Sequence, residues 1–165
     1  MNHVERLQAL EACDNSIEFA AQFSHAQEAW ENNTRPDWAL WLLARLGGEH
    51  KRMAVRLAAD FAEHVIHLAG EGRPVAEAAI ASARAWVDNP CEETQSAALR
   101  ASYAAFYAAY DAASYAATSA SAYAVRVAAY AVHANYATDL EAEKAWQISR
   151  IREICPNCPI GGEEE

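Results

Sequence analysis

Lysine is nearly missing from this chain. Lys51 and Lys144 are the only two in 165 residues, and arginine supplies the rest of the 13 basic side chains. Against 23 acids this leaves a formal net charge of -10 and a pI near 5.0. So acidic a balance argues against binding a nucleic-acid polymer, because a phosphate backbone needs a basic face. It suits solubility, or a basic protein partner. No long apolar run is present either. The longest uncharged stretch lies between Asp111 and Arg126. It is too short, and too rich in serine and tyrosine, to span a bilayer, so no membrane role is expected. The N-terminus MNHVERLQALEA carries acids and polar residues where a secretory signal would be apolar. A cytoplasmic setting is therefore expected, with the four cysteines, Cys13, Cys91, Cys155 and Cys158, as reduced thiols. GxSxG, P-loop, GxGxxG and metalloprotease motifs are all absent, which argues against an enzyme.

Alanine makes up about a quarter of the chain, far above ordinary usage. It is densest between Ala97 and Ala137, where Arg100, Asp111 and Arg126 are the only charges and neither glycine nor proline occurs. Alanine is depleted in strands and is the strongest helix former. The sequence therefore predicts an all-α, single-domain helical bundle of about six to eight helices around an Ala/Tyr-rich helix pair. The expected domain is 1–154, with 155–165 as a flexible Cys/Pro/Glu tail.

Local signals place the helices. Predicted segments cover His3 to Ala12, Ile17 to Phe23 and His25 to Glu31. Thr34-Arg35-Pro36-Asp37 is a helix start with proline in the first turn, and DWALWLLARL then runs to Gly47-Gly48. A helix from Glu49 to Ala69 carries Met53, Leu57, Phe61, His64 and Leu68 on one face. Pro74 opens the next, which closes at Asp88-Asn89-Pro90. Glu92 and Glu93 suit the first turn of the alanine-rich segment. An unbroken rod from there to Ala137 would span about 70 Å. Two antiparallel helices, broken near Thr118 to Ser121, fit a domain of this size better than one kinked rod. A last helix covers Asp139 to Ile154. Trp38, Trp41, Phe61, Trp86 and the tyrosine stripes are the expected core.

Few residues suggest chemistry. Cys155-Pro156-Asn157-Cys158 has the spacing of half a tetrahedral zinc site, but the sequence offers no second half. His64 and His67, one helical turn apart, are a weaker metal pair. Tyr103, Tyr107, Tyr110, Tyr123 and Tyr130 serve as packing, or as stacking surfaces for a small nucleotide-like ligand. Arg100, Arg126 and His133 would then supply its polar contacts. No cofactor is expected.

The order of features resembles a known family. DWALWLLARL, KRMAVRLAADFAEHVIHLAGEGRPVAEAAIASARAWV, the alanine- and tyrosine-rich pair and KAWQISRIREIC follow one another. The matching residues are Ala59, Ala62, Glu63, His64 and Val65, then Arg73, Pro74, Ala79, Ile80, Ala83, Arg84, Ala85 and Trp86. Over about Pro36 to Ile154 this is similar to the immunity-protein-five-like family, small alanine-rich helical proteins of bacteria and phages. The CPNCP tail departs from that pattern. The resemblance implies a non-enzymatic protein that neutralises a toxin or defence effector, as an immunity or anti-defence inhibitor. Two other readings stand beside it: sequestration of a nucleotide-like signal in a Tyr-lined cleft, and a zinc-stabilised adaptor using Cys155 and Cys158. A homodimer fits the exposed aromatic faces.

Overall fold

The first helix starts on a reciprocal cap. Asn2 Oδ1 accepts the Glu5 amide at 2.9 Å, and the Asn2 amide donates to the Glu5 carboxylate at 2.9 Å. Two orphan amides of the helix start are satisfied together. A computed structural model of the chain describes residues 1–68, 73–98, 100 and 140–161. Among them all regular structure is helical and no strand occurs. In chain order these are α1 (His3–Ala9), α2 (Asp14–Ala20), α3 (Ala26–Asn32), α4 (Pro36–Leu46), α5 (Gly48–His64), a 3-10 turn (Ile66–Leu68), α6 (Arg73–Asp88) and α7 (Leu140–Ile154). Residues 92–98 are helical as well. The fold is an all-α bundle.

Pro36 occupies the first turn of α4, where its missing N–H costs nothing. Asn33 braces that entry, accepting the Arg35 amide and donating to the Arg35 carbonyl. Gly47, with φ of 73°, is the single residue between α4 and α5 and lets the two helices pack on each other. Helix α5 packs on α4 and on α6, and α7 lies against α4 and α5. Phe61, Leu43, Leu57 and Ile151 are the largest side chains in full burial. Ala54, Ala58, Ala59 and Ala62 fill the buried face of α5 between them.

Three expectations change. The helix expected to reach Ala69 ends at His64, and the chain tightens into the 3-10 turn beyond it. The buried face of α4 is Pro36, Ala39, Leu40, Leu42 and Leu43. Its edge holds Trp38, which is half-buried, and Trp41, which is 38% exposed, so these rings are not core. Trp86 is half-buried too, while Trp30, expected nowhere in the core, is buried in α3.

The largest correction concerns the tail. Residues 155–161 are docked, with Cys155, Cys158 and Ile160 buried. Gln27 holds the segment as a neighbouring strand would: it accepts the Cys158 amide at 2.7 Å and donates to the Pro156 carbonyl at 3.1 Å. Trp30 Nε1 donates to the Cys155 carbonyl at 3.0 Å, and Arg6 donates to the Ile160 carbonyl. Polar backbone that would otherwise be stranded on an apolar surface is thereby satisfied. Residues 155–161 thus pack on the helices, and residues 162–165 of the expected tail lie outside the described residues. The Ala/Tyr-rich pair lies outside the described residues from 101 to 139.

Candidate functional site

α1 to α4 and the docked C-terminal segment line an open-mouthed pocket of about 430 Å³. Its walls include His3, Phe19, Trp30, Trp38, Trp41 and Ile160. Phe19 and Trp38 stand 5.7 Å apart between ring centroids, in a tilted arrangement suited to their edge and face charges. The Arg35 guanidinium lies 4.6 Å from the centroid of the Trp38 ring, a cation–π contact. The same guanidinium forms a two-pronged pair with Asp37 at 2.9 and 2.7 Å. Burial works to raise the Asp37 pKa, but the hydrogen bonds and charge of Arg35 outweigh it and hold the carboxyl below its ordinary value. The charged groups in the wall therefore cancel each other.

One wall residue is incompletely satisfied. His3 is buried, at 6% exposure. Its Nε2 lies 3.1 Å from the Ala20 carbonyl oxygen. A carbonyl only accepts, so Nε2 carries a proton and donates it. That Nδ1 is buried without any hydrogen-bond partner. Cys13 also lines the pocket, at the surface. Hydrogen bonding with Ser16 lowers its thiol pKa, with a smaller contribution from Arg35.

A second cleft, of about 580 Å³, lies between α5, α6 and α7. Arg84 bridges Glu63 and Asp60, and Arg150 bridges Asp60 and Glu153. The Arg84 hydrogen bond holds the Glu63 carboxyl below its usual value. His64 stacks on Trp146 with centroids 3.7 Å apart and planes 8° from parallel, and its Nε2 lies 3.3 Å from the buried Glu143 carboxylate. Two arginines thus face three carboxylates, Asp60, Glu63 and Glu153, and the contacts of the cleft tie three helices together.

The two pairs singled out for metal gain no third ligand among the described residues. His67 sits in the 3-10 turn, where its Nδ1 donates to the His64 carbonyl at 3.2 Å, while His64 faces Glu143. Cys155 and Cys158 are free, and burial raises both thiol pKa values. That favours the protonated form over the thiolate a metal would take. Among the described residues no group of three or more His, Cys, Asp or Glu could hold a metal ion. Nor, among them, does any histidine hydrogen-bond to a serine or a cysteine. No described helix is long and apolar enough to cross a membrane.

Of the expected nucleotide contacts, Arg100 is exposed. Tyr103, Tyr107, Tyr110, Tyr123, Tyr130, Arg126 and His133 lie outside the described residues. Sequence reasoning passed over His3, Phe19 and Trp30. Nothing local marks them, since each gains its role from a partner on another element. The nearest signal was the cluster of Trp38, Trp41 and Arg35 at a helix start. No family model matches the chain, and no curated protein and no solved structure resembles it.

Proposed function

We propose that this chain is a non-catalytic binding protein of the immunity or anti-defence kind, neutralising a toxin or defence effector by direct association. The observation that carries this reading is the charge of the N-terminal lobe. Residues 1–32 hold six carboxylates (Glu5, Glu11, Asp14, Glu18, Glu28 and Glu31) against one arginine, Arg6, a balance of -5 out of a total of -10. Five of the six are exposed, and Glu28 is half-buried. Arg6 turns inward to the Ile160 carbonyl. Other arginines are engaged within the bundle, as Arg45 is with Glu11 and Arg52 with Glu49. Glu11 is offset by Arg45 from α4, and the lobe's remaining carboxylates leave a net negative field, which steers a basic partner and speeds its docking. The interlocked charges around Asp60 favour a rigid scaffold over a reacting site.

The test is rescue. A panel of basic antibacterial toxins and phage-defence effectors is expressed in a bacterial host, with and without this chain. Growth is restored for one effector, and the purified pair co-elutes at low salt. The double variant Asp14→Lys, Glu18→Lys weakens the pair, and about 1 M salt does the same, since the screening length there is about 3 Å. Rescue without association, or an effector chemically altered by the chain, would sink the reading.

A further inference from the structure

We propose that the open pocket on the N-terminal lobe receives an aromatic side chain projecting from a basic protein partner. The inference deepens the effector reading, from which it takes the partner's positive charge. Its own ground is the make-up of the pocket and of the ridge beside it. Phe19, Trp30, Trp38 and Trp41 contribute rings to the wall. Among the described residues, Trp41 and Met1 are the large apolar side chains left exposed, and Met1 is the chain's first residue. Tryptophan and arginine are the residue types in which binding energy concentrates, and here the Arg35 guanidinium lies on Trp38 within the same wall. The volume, about 430 Å³, lies within the roughly 300 to 1,000 Å³ of ligand sites. An inserted aromatic side chain brings about 150–250 Å² of surface and meets the wall rings in tilted or offset contact.

Charge decides what carries that ring. In the described wall Asp37 is the one acid and Arg35 the one arginine, and they pair at 2.7 Å. The pocket is therefore uncharged in sum and suits a neutral ring. The ridge beside it differs. Asn15, Ser16 and Phe19 of α2 line the pocket, and Asp14 and Glu18 each precede a lining residue by one position, about 100° round the helix. Both carboxylates are exposed. A lysine or arginine next to the inserted ring meets them, whereas a free aromatic molecule gains nothing from the ridge and an acidic chain is repelled. Ring and charge together select a basic surface with an aromatic anchor at its centre.

Capped peptides separate the two contributions: Lys-Lys-Trp-Lys-Lys, Lys-Lys-Ala-Lys-Lys and Glu-Glu-Trp-Glu-Glu, with N-acetyltryptophanamide as the free ring. Calorimetric titration of the full chain at low salt should rank the first tightest, about tenfold above each of the others. Equal affinity of the two lysine peptides would mean that the ring has no seat. Equal affinity of N-acetyltryptophanamide would mean that the ridge plays no part. Either result overturns the inference, as does the absence of saturable binding by Lys-Lys-Trp-Lys-Lys. With isotope-labelled tryptophan, the indole N–H resonances of Trp38 and Trp41 should move with that peptide and stay in place with its alanine counterpart. Trp41→Ala should remove the preference for the ring, and Asp14→Lys with Glu18→Lys should weaken both lysine peptides alike. The peptide ranking uses the unmodified chain, so it stands even if a variant does not fold. For an effector found by rescue, Trp41→Ala should lower affinity about tenfold. Unchanged affinity there would overturn the pocket and leave the immunity reading intact. The expected peptide ranking with no effector rescued would remove the immunity reading and uphold the pocket.

Discussion

The four cysteines divide by environment. Cys13 and Cys91 are exposed, and hydrogen bonding with Ser16 and Thr94 lowers their thiol pKa values. Cys155 and Cys158 are buried, and burial raises theirs. The thiolate is the reacting form, so a disulfide-exchange reagent should modify two thiols quickly and the other two only on unfolding. Peptide mapping should place the fast pair at 13 and 91; rapid labelling at 155 would contradict the docked segment. Glu63 offers a second test. Arg84 depresses its folded pKa, so the pair's stability is fully present above the ordinary glutamate value, about 4.3. It is lost as pH falls through the lower folded value. Both side chains are substantially exposed, so the effect is small. Urea midpoints between neutral pH and pH about 3 should fall less steeply in Glu63→Gln than in the unmodified chain, whose other carboxylates set the remaining slope. Composition could not foretell this pairing, because Glu63 and Arg84 lie on different helices. The same limit hid Trp30, whose indole partner is 125 residues away.

Helix boundaries were legible where proline and glycine mark them, but α1 stops at Ala9 instead of Ala12 and α2 spans Asp14–Ala20 instead of Ile17 to Phe23. Pro36, Gly47 and the Asp88-Asn89-Pro90 stop each fall where the chain turns. Periodicity alone did less well. It carried α5 past His64, although Val65 is buried there and the backbone has already left the α-helix. It also centred the buried stripe of α4 on the tryptophans, because hydrophobicity cannot tell a core ring from one at a rim. What did transfer was the reading of alanine as a packing residue. Ala58 has no exposed surface on α5, the helix that touches α4, α6 and α7. Adding three carbons there forces neighbouring backbones apart, at a cost of about 1–3 kcal/mol. Ala81 on α6 is exposed. Ala58→Leu should therefore lower the thermal midpoint measured by circular dichroism, and Ala81→Leu should leave it nearly unchanged. Equal behaviour of the two would mean that the α5 contacts are looser than their burial implies.

At the scale of the molecule, the two ends of the chain close on each other. Arg6 on α1 and Gln27 and Trp30 on α3 take hydrogen bonds with 155–161, and Arg152 near the end of α7 donates to the Asn33 carbonyl at 3.2 Å. The short helices α1 to α3 have seven residues each, below the length at which isolated helices persist in water. Their order must come from what they pack against, and the C-terminal segment is a large part of it. Ile160 alone contributes about 1.5–3 kcal/mol by burial, and each of the hydrogen bonds about 0.5–1.5 kcal/mol. Set against a typical domain stability of about 5–15 kcal/mol, that loss is severe. A chain ending at Ile154 should consequently unfold at much lower urea. Its α1 to α3 amides should lose hydrogen-exchange protection, while the buried stretch of α5 stays protected. Gln27→Ala, which removes two anchors and no residue of the segment, should move both measurements part of the way. If the shortened chain kept its full midpoint and its N-terminal protection, the lobe would be stable by itself. The pocket that His3 borders would then owe nothing to the docked segment.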